Sequence, residues 1–127
     1  SWEAYRAALV ELGKPDPGPT MQGSVITTYI DEDPESAWEE LSPYFLHECN
    51  AYGAWLAAEG FDGPYKVTTP DELRNTDQYR IISPDECRAE LDAMGEMAML
   101  MLHPMVGGIP PARAWKMLEL VERTVLS

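Results

Sequence analysis

A chain of 127 residues that is 45% hydrophobic and carries four Trp fits one domain and can close a core, which excludes a disordered segment. Twenty-two acidic residues against nine basic ones give a net charge of −13, and such a surface repels phosphate backbones and anionic lipid, so neither nucleic acid nor a membrane is an expected partner. No stretch approaches the roughly 18 apolar residues of a spanning helix, and no basic-then-apolar leader pattern is visible, so a cytoplasmic location is expected. Cys49 and Cys87 have no Cys or His at metal-ligand spacing. Two reduced, buried thiols and no metal are the expectation.

Trp2, Tyr5, Leu9 and Leu12 recur at helical spacing, and Gly13 with Pro15 supplies a stop, so a first amphipathic helix is predicted over residues 2–12. Pro15, Pro17, Gly18 and Pro19 then form an extended connector. The run Ser24 to Ile30, SVITTYI, is rich in β-branched residues and poor in charge, as in a strand buried on both faces of a parallel sheet. Asp33 is an N-cap candidate and Pro34 suits a first helical turn. The helix that follows places Ala37, Trp38, Leu41, Phe45, Cys49, Tyr52 and Leu56 on three- and four-residue steps, with Pro43 expected to kink or split it and Gly60 to end it.

Residues 61–78 read as a long loop. Tyr79 to Ile82 is a short extended piece. Ser83, Pro84, Asp85 and Glu86 make a capping signal for a helix through Met94, stopped by Gly95. Met97 to His103, MAMLMLH, is predicted as a second buried strand, followed by turn residues Pro104, Gly107, Gly108 and Pro110. A last helix spans about 111–126, with Ala114, Trp115, Leu118, Val121 and Val125 on its inner face. The order is α/β alternation over a single unit, residues 1–127. Two principal strands leave unpaired edges, so the sheet must be completed by further residues or by self-association, and a homo-oligomer is expected.

These motifs, in this order, resemble the C-terminal part of luciferase-like flavin-dependent oxidoreductases. The resemblance covers nearly the whole chain. It is carried by WEAYRAALVELGKPDPGP, ITTYIDEDPESAWEEL, SPYFLHECNAYGAWL, YRIISPDECRAEL and, most specifically, LMLHPMVGGIPPARAWKMLELVERTVL. The resemblance implies the last two strands and helices of a (β/α)8 TIM barrel, with residues 24–30 as the seventh strand, 97–103 as the eighth, and 79–82 outside the barrel wall. It also implies FMN or F420 as cofactor, monooxygenase-type chemistry on a small-molecule substrate, and roughly 150 further residues in the parent enzymes. Little or no turnover is therefore expected from this chain alone.

Barrel chemistry occurs at the C-terminal ends of strands, which directs attention to Asp31 after the first strand and to His103 and the turn after the second. His103 is a catalytic candidate as hydrogen-bond donor or proton shuttle, against a structural role bonded to backbone. Gly107 and Gly108 are candidates for binding a cofactor phosphate, against a plain turn. Asp31, His47 and Asn50 are candidates for lining a substrate pocket, against capping or solvated roles. Glu48 and Tyr52 share a helix face in the same cluster. The alternative reading of function is a non-catalytic module for α/β self-association or for binding a small apolar ligand through Trp38, Tyr52 and Trp55.

Overall fold

The computed structural model describes residues 1–18, 26–61, 63, 65–95 and 98–127. Over these residues the chain is a mostly helical α/β fold on a small sheet of two parallel strands, β1 (Thr27–Ile30) and β2 (Tyr79–Ile82), which is not closed into a barrel. The helices are α1 (Trp2–Glu11), α2 (Pro34–Ala58), α3 (Pro70–Arg74), α4 (Pro84–Met94) and α5 (Pro111–Thr124), with a 3-10 turn at Val106–Gly108. Among the described residues no helix is long and apolar enough to cross a membrane.

The strands read TTYI and YRII, and every residue but Arg80 is β-branched or aromatic, which suits a pleated, buried surface. Thr27 stands opposite Tyr79 and Ile30 opposite Ile82. On one face α2 lays Phe45 across both strands, its ring centroid 6.4 Å from Tyr29 and 5.6 Å from Tyr79, with Trp38 edge-on at 5.5 Å. On the other face Arg80 Nε donates to Thr28 Oγ1 at 2.9 Å and its guanidinium reaches Glu90 of α4 at 2.8 Å. A buried threonine hydroxyl and a strand arginine thus satisfy each other.

Helix starts follow local chemistry. The Asp33 side chain accepts the Ser36 amide, and Ser83 with Glu86 forms a complete capping box for α4, each worth about 1 kcal/mol. Cys49 and Cys87 are buried free thiols, as expected.

Several expectations are corrected. The segment 79–82, expected to stand apart from the principal strands, is the parallel partner of β1, because Tyr79, Ile81 and Ile82, ending at a helix cap, provide the ladder that β1 needs. The expected strand 97–103 does not form: Met97 is outside the described residues, and 98–103 have no regular secondary structure. Leu100 and Leu102 pack on the core while Met99 and Met101 are exposed, so the segment alternates like a strand without being laddered. One backbone bond, from the His103 amide to the Thr28 carbonyl at 3.4 Å, joins it to the edge of β1 away from β2. Unbranched Met and Leu give little β preference to extend that single bond.

β1 begins at Thr27, and Pro19, Ser24 and Val25 of the expected connector and strand lie outside the described residues. α2 runs unbroken through Pro43 for 25 residues, since Leu41, Ser42 and Phe45 bury around the proline and hold both halves against one core. The predicted loop 61–78 contains α3, opened by a Thr69–Glu72 capping box. α5 buries Ala114, Met117, Leu120 and Val121, whereas Trp115 is 63% exposed; the inner stripe is rotated from the expected one. α1 forms but buries no residue. It is held to its own connector by Trp2 Nε1 on the Gly18 carbonyl at 3.0 Å and by a two-bond Arg6–Asp16 pair at 2.7 and 2.6 Å.

Gly107 has φ 59°, and a Cβ there would stand 1.9 Å from the Tyr44 carbonyl oxygen of α2. Gly107→Ala is expected to cost roughly 2 kcal/mol or more, because both strain and overlap arise. Gly108→Ala, at φ 87° with open space around it, should cost only the backbone term of about 1 kcal/mol. Urea midpoints of the two variants measure this, and equal losses would remove the role of the close contact.

Candidate functional site

The first recess lies at the C-terminal end of β1. It is a cleft of about 480 Å³ between the start of α2 and α5, with Asp31, Glu40 and Arg113 at its centre and Lys116 and Arg123 on its wall. Arg113 Nη2 meets Asp31 at 2.5 Å, and its Nε meets Glu40 at 3.0 Å. Its guanidinium sits 5.4 Å from the Tyr29 ring centroid, and the Tyr29 hydroxyl donates to the Arg113 carbonyl at 3.1 Å. Arg123 is paired with Glu32 at 2.9 Å. With Arg113 shared between two carboxylates, this recess is chiefly a clamp tying β1, α2 and α5, and its charge is already compensated.

The second recess is smaller, about 210 Å³, and lies at the opposite, N-terminal end of the sheet. Thr27, Gln78 and Tyr79 come from the strand starts, Glu48 and Tyr52 from successive turns of α2, and Tyr65 and His103 from the connecting segments. The Glu48 carboxylate faces the Gly107 amide and His103; burial pushes its pKa above the usual carboxylate range, with His103 and that amide opposing. Burial also raises the Tyr79 phenol, with Glu48 and the neighbouring Cys49 adding to the shift. The Cys49 thiol is raised in turn by burial, which keeps it protonated and a poor nucleophile. His103 Nδ1 is buried with no hydrogen-bond partner among the described residues. Orphaned buried polar atoms are uncommon, and perturbed titratable groups in a cleft mark a candidate site. This is the candidate functional site.

Of the residues singled out in the sequence, His103 lies in this recess and Asp31 in the other. His47 is exposed on α2 and lines neither. Asn50 is structural, its amide donating to the Leu46 carbonyl at 2.9 Å and to the Val67 carbonyl at 2.8 Å. Trp38, Tyr52 and Trp55 do not share a pocket: Trp38 is in the core and Trp55 is 69% exposed.

The Gly107 amide is faced by Glu48, and the α-carbon side of Gly107 is filled by the Tyr44 carbonyl. A cofactor phosphate placed on the Gly107–Gly108 turn would meet a carboxylate, so these residues do not fit the phosphate of FMN or F420. Among the described residues no cluster of three His, Cys, Asp or Glu could hold a metal. Sequence reasoning missed Glu48, Tyr65 and Tyr79 as site members. The i,i+4 pair Glu48 and Tyr52 was visible as one helix face, whereas Tyr65 carries no signal in its loop.

In comparisons with known proteins, no family model matches the chain, and neither a curated protein nor a solved structure matches it.

Because the folded-state pKa of Glu48 is raised, its contribution is fully present below the unfolded value and is lost as pH rises through the folded one. A permanently neutral Glu48→Gln should gain stability relative to the native chain as pH rises above the ordinary carboxylate range of about 4. Thermal melts at rising pH test it; a difference that is flat or falls with pH contradicts it. At the other recess, Arg113→Leu leaves Asp31 and Glu40 without their shared cation and should cost about 2 kcal/mol in chemical denaturation.

Proposed function

We propose that this chain is the C-terminal part of a luciferase-like, FMN- or F420-dependent oxidoreductase of the monooxygenase type, and that it forms one sector of a larger parallel α/β barrel. The observation that carries the reading is a succession of two strand-to-helix steps followed by an unladdered extended stretch that leads into a third helix. β1 leads into α2, β2 into α4, and the extended stretch ending at His103 into α5, with β1 and β2 parallel. Such βα repetition on a parallel sheet belongs to architectures whose sheet is covered on both faces and continued at its edges. Two further features support it. Among the described residues no backbone hydrogen bond reaches the edge of β2 away from β1, and α1 has no buried residue, with Tyr5 and Leu12 exposed.

In that family the bound flavin supplies the hydride or oxygen chemistry. No step is assigned to it through Gly107 and Gly108, whose geometry serves the packing of the turn on α2. A second reading, a non-enzymatic module that self-associates or binds a small molecule, is favoured by the recess holding the unpartnered His103 nitrogen.

The purified chain is expected to be a colourless oligomer with no saturable FMN or F420 binding and no flavin-dependent oxidation. Refolded with the first six βα units of a luciferase-like oxidoreductase, it should recover flavin binding, read as quenching of flavin fluorescence. A flavin-loaded monomer would contradict the incompleteness of the site. Self-association without recovery in the mixture would favour the non-enzymatic module.

A further inference from the structure

We infer that the recess at the N-terminal end of the sheet binds a small organic ammonium ion, held between the Glu48 carboxylate, the His103 Nδ1 acceptor and the rings of Tyr52 and Tyr65. The inference does not depend on the flavin reading, since this recess opens at the end of the sheet opposite to barrel chemistry.

Four observations converge. Among the described residues no lysine or arginine lines the recess, so the Glu48 carboxylate there is not neutralised by a lining cation of that kind. Glu48 takes part in no ion pair among the described residues with Lys or Arg, although each of the six arginines pairs with a carboxylate elsewhere in the chain. His103 Nδ1 is buried and lacks a partner; with the ring proton on Nε2 it is an acceptor, and it then requires a donor that no described residue provides. Tyr52 and Tyr65 stand with ring centroids 5.5 Å apart at 52°, presenting π-faces of the kind that attract a desolvated cation.

An ammonium head with two or more N–H groups satisfies these requirements together. One N–H goes to the carboxylate, another to the imidazole nitrogen, and the adjoining methylenes lie against the tyrosine rings. A carboxylate or phosphate ligand would meet Glu48 at once, and a hydrocarbon would leave His103 Nδ1 orphaned. The volume of about 210 Å³ admits a short amine and excludes a nucleotide-sized ligand. The chain's net charge of −13 raises the local concentration of small cations around it.

The test is a titration of the whole chain with butylammonium chloride, followed by NMR of the tyrosine rings and the His103 imidazole, with butan-1-ol as the neutral analogue. Saturable shifts confined to this recess are expected for the amine, with at least a tenfold weaker response to the alcohol and a tenfold loss of amine affinity in Glu48→Gln. Should Glu48→Gln fail to fold, Tyr52→Leu, at a half-exposed position, is expected to weaken amine binding several-fold. Absence of saturation, equal affinity for the alcohol, or unchanged affinity in the variant that folds would each overturn the inference. Flavin binding by the barrel mixture is read separately, so the two proposals fail independently.

Discussion

The fold rests on one aromatic ring spanning two short strands. A parallel pair of four residues each has few ladder hydrogen bonds, and parallel pairing is weak unless both faces are covered. Phe45, fully buried, bridges Tyr29 on β1 and Tyr79 on β2 and is itself capped by Trp38. The strands arrive from sequence positions about fifty residues apart, so this shared aromatic contact holds together segments that chain connectivity leaves independent. α2 must be long because its first turns carry Trp38 and Leu41 under the sheet while its later turns carry Glu48 and Tyr52 to the recess.

The charge distribution follows a consistent division of labour. Each of the six arginines meets a carboxylate: Arg6 with Asp16, Arg74 with Glu35, Arg80 with Glu90, Arg88 with Asp85, Arg113 with Asp31 and Glu40, and Arg123 with Glu32. Exposed pairs of this sort contribute little individually, but those of Arg74, Arg80 and Arg113 connect different elements, and Arg74 also lies 4.9 Å from the Trp38 ring centroid. The few positive charges of an acidic chain are thus used internally as positioning ties. That leaves a surface dominated by carboxylates, and a recess whose carboxylate has no arginine beside it.

Much of the fold was legible in the sequence, and the failures have identifiable physical sources. Helix starts were readable because capping is local chemistry: Asp33 and Ser83 act within three residues of themselves. Pairing was not, because it depends on distant competition. YRII looked too short to count, yet it ladders with β1, whereas MAMLMLH looked strand-like in hydrophobicity and, among the described residues, gives β1 one hydrogen bond. For α5, periodicity gives the helix but places Trp115 and Leu118 on its inner face, where the core takes the slimmer Met117 and Leu120 beside Ala114 and Val121. In the candidate site, His103 stood out as a rare residue at the end of an apolar run. Glu48 was hidden among many glutamates, and nothing local distinguishes the one that is drawn under a turn.

The contact between Gly107 and the Tyr44 carbonyl also sets how sequence variation is distributed across this interface. The partner atom on α2 belongs to the backbone, so residue 44 presents the same oxygen whatever its side chain, while residue 107 has no room for any side chain at all. The constraint is therefore one-sided: drift at position 44 is invisible to the turn, whereas drift at 107 cannot be compensated by any replacement at 44. Only a change in the path of the helix or of the turn could release it, which makes this pair a fixed point about which relatives of the chain would diverge.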